Sequence, residues 1–251
     1  MKPHGGYTGF VDGLSFLCRR WLRPLQAMAI ALLLLTLPIG ASTGNAVTAP
    51  RPGAHVYLLR GVLNIFSLGL DEIAAKLQQQ GITATVHNHL SWASIADEAA
   101  AEYKSGRVKT IILVGHSSGA TVLPDMVARL DQLGAPVKLA IGLDSVFRTS
   151  LSGRVGRYIN FYVANGAGTP VEKTTQLRGT LENVDVEKMG VGHLTIDKNQ
   201  IMQQKVINAI DAVVLSRSKE ASVTQKQQRP PEIGTTKPGS GTARAAATTG
   251  R

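Results

Sequence analysis

Five short apolar runs, separated by stretches of helical or turn character, restrict this chain to a narrow set of folds. His55 to Leu59, Thr83 to Asn88, Thr110 to Val114, Val137 to Leu143 and Tyr158 to Val163 read as strands. Leu70 to Gln80 places Ile73, Ala74 and Leu77 on one helical face and stops at Gly81, and Ser94 to Lys104 is alanine-rich. Ala120 to Leu133 spaces Leu123, Val127 and Leu130 as a helix does, with Gly134 as its cap. Gln200 to Leu215 closes the series with Ile201, Val206, Ile207, Ile210, Val213 and Val214. Strands that alternate with helices pair in parallel, and near-continuous apolar runs are buried on both faces. The reading is an α/β fold with a mainly parallel central sheet flanked by helices.

Charge locates the domain boundaries. The 251 residues carry a formal charge of +10, of which +3 lies in residues 1–50 and +5 from Ser216 onward. The segment between is nearly balanced, which disfavours a nucleic-acid-binding domain. Arg19, Arg20 and Arg23 precede an apolar run from Leu25 to Ile39, followed by small residues with Gly44-Asn45-Ala46 as an A-x-A-like site. This is the layout of a secretory signal peptide, and the run is short for a membrane span of about 20 residues. Residues 1–46 are therefore expected to direct export to the periplasm or the outside, with a retained membrane anchor as the alternative. The end of the chain, 218–251, is rich in Gln, Thr, Ala, Gly and Pro and carries few large apolar residues, so it reads as a disordered basic tail. Weak contact with a membrane or anionic surface is its minor role, through the N-terminal segment as well. What remains, 47–217, is large enough for one core. The lone cysteine, Cys18, excludes a disulfide framework and a multi-cysteine metal site.

The chemistry-bearing motif follows the third strand. Ile111 to Val114 runs into Gly115-His116-Ser117-Ser118-Gly119 and then into a helix. This is G-x-S-x-G in its strand-turn-helix setting, where the serine sits on a tight turn with its hydroxyl lifted above the sheet edge. Gly115 and Gly119 must be small so that strand and helix backbones can approach. Ser118 lies one residue off the pattern as an alternative nucleophile, and its N–H faces the reacting centre. A serine hydroxyl needs a base, and the base needs a carboxylate partner. Downstream of Ser117 the only histidine is His193, in the loop Gly190-Val191-Gly192-His193-Leu194 before the final helix. Asp144 ends the strand next after the nucleophile strand, so its carboxylate emerges on the same sheet edge. Asp185 is the alternative acid, ahead of Glu187 and Asp197.

Gly115 to Gly119, Gly142-Leu143-Asp144 and Gly192-His193-Leu194 resemble the triad segments of α/β-hydrolase fold lipases, esterases and thioesterase-like proteins. In pancreatic-type lipases the acid likewise follows the strand after the nucleophile strand, in a similar Gly-Leu-Asp context. The resemblance implies an α/β-hydrolase fold over Tyr57 to Leu215 and hydrolysis of an ester or thioester through an acyl-enzyme. Those lipases have Pro where this chain has Ser145, and a disulfide-closed lid that one cysteine cannot form, which points away from a triglyceride lipase.

An oxyanion hole needs two backbone donors. Ser118 N–H is one, and the other is expected in the loop after the first strand, where Gly61 permits a turn and leaves the N–H of Val62, or of Gly61 itself, in the site. Asn64 and Ser67 read as helix-capping residues, Arg60 as half of a surface ion pair, Trp92 as core or pocket wall and Asn160 as a structural hydrogen-bonder. His87 and His89 fall on one face of an extended segment but have no Asp or Cys at metal-ligand spacing, so no metal is expected, and the chemistry needs no organic cofactor. The intervals from Ser145 to Arg157 and from Val163 to His193 leave room for a flap but not for a cap domain. The expected substrate is a small ester or thioester, with no nucleic-acid partner. The reading from another class is a catalytically silent α/β-hydrolase scaffold that binds a ligand or an envelope partner.

Overall fold

The computed structural model describes residues 53–62 and 64–227. The expected signal peptide or anchor and the end of the basic tail lie outside the described residues. Six strands form one sheet in the order β2-β1-β3-β4-β5-β6, with every neighbouring pair parallel. They are β1 (Ala54–Arg60), β2 (Thr83–Asn88), β3 (Thr110–His116), β4 (Val137–Leu143), β5 (Thr149–Tyr162) and β6 (Val171–Asp185). The helices are α1 (Gly69–Gln79), α2 (Trp92–Lys104), α3 (Ser118–Thr121), α4 (Leu123–Gln132) and α5 (Gln200–Gln227).

Because successive strand residues point to opposite faces, each central strand feeds two cores. Val56, Leu58, Ile112, Val114 and Ile141 meet Leu70, Ile73 and Leu77 of α1 and Met202, Val206 and Ile210 of α5. Tyr57, Leu59, Ile111, Leu113 and Ala140 meet Ile95, Ala96 and Ala99 of α2 and Leu123, Met126 and Val127 of α4. Burial on both faces is why these strands read as unbroken apolar runs. Ile201, assigned to the buried face from its spacing, is 62% exposed, and Met202 takes its place. Asn199 sets that phase by accepting the N–H groups of Ile201 and Met202 on its side-chain oxygen, an N-cap.

Four elements differ from the sequence reading. The helix expected over Ala120 to Leu133 is two helices, α3 and α4, meeting at Val122. Pro124, in the first turn of α4, has no N–H to donate to the preceding turn, so the helical hydrogen-bond ladder is interrupted there and the break falls just ahead of it. Helix α5 continues to Gln227, through the first ten residues assigned to the disordered tail. That stretch, from Ser218 to Gln227, has Lys, Glu, Ala and Gln among its residues and neither Gly nor Pro, so nothing in it stops a helix.

The intervals on either side of Tyr158 to Val163 are strand. β5 starts at Thr149, and β6 has no counterpart among the five runs expected as strands. The Asn183 side chain accepts the Val171 N–H and donates to the Val171 carbonyl, both at 2.9 Å, although twelve residues separate them. A straight strand would hold them about 40 Å apart. β6 therefore doubles back between Val171 and Asn183, a stretch that includes Gly179 with φ 151°. The paired β5 shifts register twice near Gly153. β6 escaped notice because it is an edge strand, Val-Glu-Lys-Thr-Thr-Gln-Leu-Arg, with a solvated face and charges suited to an edge.

Candidate active site

The loops at the carboxyl ends of β1, β3 and β4, and the loop before α5, converge on Ser117. Gly115 and Gly119 make the elbow possible by space: a Cβ on Gly119 would stand 2.0 Å from the Leu59 carbonyl oxygen, and one on Gly115 would stand 2.4 Å from that of Gly119. Ser117 itself has φ 58° and ψ −124°, a conformation that glycine adopts freely and other residues do not. Among the described residues the other non-glycine positions with positive φ are Asn64 and Asp144, at 56° each. Ser117 and Asp144 lie at this site and Asn64 lies in the loop after β1 that supplies Val62 and Phe66 to its wall, in keeping with the clustering of backbone strain at functional sites.

A continuous hydrogen-bonded chain crosses the site. His193 Nε2 lies 3.0 Å from Ser117 Oγ, and His193 Nδ1 lies 2.7 Å from Asp144 Oδ2. Asp144 is fully buried, and its Oδ1 accepts the Val163 N–H at 2.8 Å. A carboxylate accepts only, so His193 carries its proton on Nδ1 and leaves Nε2 bare toward the serine. The alternative acids are engaged elsewhere: Asp185 accepts the N–H groups of Ala164 and Glu187, Glu187 accepts from Asn165, and Asp197 accepts the Gly69 N–H.

Of the candidate oxyanion donors, Gly61 N–H is committed to Ser67 Oγ at 3.0 Å, which leaves Val62. Gly61 is required for space and not for a turn, since its φ is not positive and a Cβ there would stand 2.7 Å from Ser117 Cβ. Ser118 opens α3, so its N–H has no acceptor within the helix. A cavity of about 200 Å³ lies against Ser117 and His193, with Val62, Phe66 and Leu194 among its walls.

Other sequence readings are sorted by their contacts. Arg60 pairs with Asp71, Asn160 donates to Thr169 and Asn183, and Trp92 packs half-buried against the core under α2. His87 bonds Thr85 while His89 turns into a 3-10 helix, so the two do not share a face. Among the described residues no group of three His, Cys, Asp or Glu is placed to hold a metal ion. Asn64 makes no side-chain cap, and Ser67 is not a cap either. Ser67 is fully buried and bonds His116, a residue that sequence reasoning passed over because the x positions of G-x-S-x-G carry no requirement.

Burial pushes His116 below the ordinary imidazole value, against the opposing charge of Asp197, and burial lowers His87 as well. An unfolded chain binds protons at these histidines near pH 6.5, whereas the folded chain binds them only at lower pH. The stability these two histidines contribute is thus full above about pH 6.5 and is lost as pH falls toward the depressed folded values. Urea unfolding at pH 7.5 and 5.5 checks this. A midpoint that does not move would contradict it.

The all-parallel sheet order, with Ser117 on a tight turn after β3 and Asp144 at the end of β4, is the α/β arrangement expected from the sequence. No protein-family model matches the chain, and no curated protein matches it in sequence. Among solved structures, a Listeria innocua gene product is similar at a TM-score of 0.45 and 10% identity, covering 61% of this chain and 92% of its own. DcsB, solved in complex with its substrate analogue, is similar at a TM-score of 0.44 and 12% identity over 68% of this chain and 92% of its own. An acetyl xylan esterase is similar at a TM-score of 0.40 and 13% identity over 65% of this chain and 99% of its own.

Proposed function

We propose that this chain is a serine hydrolase that cleaves a small carboxylic ester or thioester through an acyl-enzyme. The observation that carries the proposal is the 3.0 Å approach of His193 Nε2 to Ser117 Oγ, with Asp144 held on the far side of the ring. Ser117 Oγ attacks the acyl carbonyl while His193 Nε2 takes its proton. The negative charge that develops on the carbonyl oxygen meets the N–H groups of Ser118 and Val62. His193, now an imidazolium stabilised by buried Asp144, passes the proton to the leaving alcohol or thiol. Water then repeats the sequence on the acyl-serine, with His193 again as base. Val62, Phe66 and Leu194 favour an apolar acyl group, and a cavity near 200 Å³ favours a short one.

Export after cleavage at Ala46 belongs to the same proposal and is supported by the sequence of residues 1–46. An intact mass that still includes those residues in the exported protein would remove that part.

A fluorophosphonate should label the purified protein, and the label should vanish in Ser117→Ala. Short p-nitrophenyl esters should be turned over with hyperbolic kinetics below their solubility limit, because no cap covers Ser117 among the described residues. Absence of labelling at any concentration would favour the silent scaffold. A rate that rises only above the solubility limit would contradict the open site.

A further inference from the structure

Two buried side chains join the two loops that flank Ser117. His116, the last residue of β3, is fully buried, with Nε2 2.8 Å from the His193 main-chain oxygen and Nδ1 2.8 Å from Ser67 Oγ. Ser67 Oγ in turn lies 3.0 Å from the Gly61 nitrogen. The proton order follows from the ends. A carbonyl oxygen only accepts, so His116 carries its proton on Nε2. The bare Nδ1 must then accept, so the Ser67 hydroxyl donates to it. That leaves the Ser67 lone pairs to accept the Gly61 N–H. The result is a one-directional chain, Gly61 N–H to Ser67 O–H to His116, and His116 Nε2–H to the His193 carbonyl, in which each bond polarises the next. A second tie lies beside it. Asp197 Oδ2 accepts the Gly69 N–H at 2.9 Å, and Gln203 donates to the Asp197 carbonyl at 3.0 Å.

We propose that His116 and Ser67 are positioning residues, whose hydrogen-bond chain keeps the loop bearing the Val62 oxyanion donor in register with the loop bearing His193. The proposal rests on the serine-hydrolase reading above. Val62 N–H follows the Gly61 peptide, so a rotation of that peptide re-aims the donor. The His193 ring is carried by the residue whose carbonyl His116 holds. Oxyanion stabilisation and proton transfer are sensitive to displacement, and about 1 Å can cost about 100-fold in rate.

Ser67→Ala removes one oxygen and is the variant least able to unfold the protein. It should lower kcat on p-nitrophenyl acetate by about 10- to 100-fold while KM changes by less than about threefold. His116→Gln retains a donor and an acceptor and should keep more of kcat than His116→Leu. The double variant Ser67→Ala/His116→Leu should fall no further than the worse single variant, because both break one chain. Imidazole ¹⁵N NMR of the wild type supplies a readout independent of activity, and His116 should appear as the uncharged Nε2–H tautomer at pH 7. An Nδ1–H tautomer or an imidazolium overturns the proposal. So do variants with kcat within about twofold of wild type and a lowered Tm, which would make the chain structural only, and so do losses that multiply in the double variant. A wild type that neither labels nor turns over esters overturns the serine-hydrolase reading and the positioning role together. An active wild type with unaffected variants overturns the positioning role alone.

Discussion

Replacing Ser117 with Ala is expected to lower kcat by about 10⁶-fold, because loss of a serine nucleophile that acts as a unit with its base removes most of the rate enhancement at once. Retention of about a tenth of the activity would move the nucleophile to Ser118. The same position carries a stability effect separable from the chemistry. Ser117 sits at φ 58° and ψ −124°, where a Cβ is strained by about 1–3 kcal/mol. Ser117→Gly should be as inactive as Ser117→Ala. Glycine relieves the strain but gains freedom in the unfolded chain, which offsets part of the benefit. A net difference of about 1 kcal/mol in favour of Ser117→Gly would raise its Tm over that of Ser117→Ala by roughly 2–4 °C for a domain of this size. Equal melting temperatures would mean that the elbow stores no strain at the nucleophile, and the positive φ would then need another account.

The elbow was legible because its constraints are local. Gly115 and Gly119 are fixed by contacts within a few residues of Ser117 and with the adjacent β1, and the strand that feeds them is buried on both faces and so reads as one apolar run. Asp144 was legible for a related reason, since it ends the next parallel strand and therefore arrives at the same edge. The Ser67 and His116 bridge spans 49 residues and was not legible, because neither residue type in isolation signals the other. Ser67 read as a cap from its type alone, whereas its burial and its partner belong to tertiary structure. β6 was missed for the opposite reason to β3: an edge strand with one solvated face lacks the apolar run that marks a central strand, and its fold-back between Val171 and Asn183 removes even a simple alternation. The helix break at Val122 stood in the sequence as Pro124, and the apolar spacing of Leu123, Val127 and Leu130 concealed it by remaining in phase on the far side of the break.

Asp144→Asn should lower kcat by about 10⁴-fold while the protein stays folded, and the hydrogen bonds around Asp144 say why. Oδ1 accepts the Val163 N–H at 2.8 Å, and Oδ2 faces His193 Nδ1 at 2.7 Å. In the asparagine variant the Val163 N–H still demands an acceptor, so the amide oxygen stays there and the NH₂ group turns to His193. Two donors cannot face each other, so Nδ1 gives up its proton and becomes the acceptor. The ring then carries its proton on Nε2, directed at Ser117 Oγ, and it can no longer take the proton of the serine. Asp185→Asn should leave kcat within about twofold, since Asp185 serves only the N–H groups of Ala164 and Glu187. Gly168→Ala offers a test without a change of charge: a Cβ there would stand 1.8 Å from Asp144 Oδ1, so it displaces the carboxylate and should reduce kcat in the same direction. Thermal unfolding followed alongside the rate separates loss of the tautomer from loss of the fold. Full activity in Asp144→Asn together with loss in Asp185→Asn would transfer the role of acid to the end of β6 and would require His193 to turn away from the buried partner it meets here.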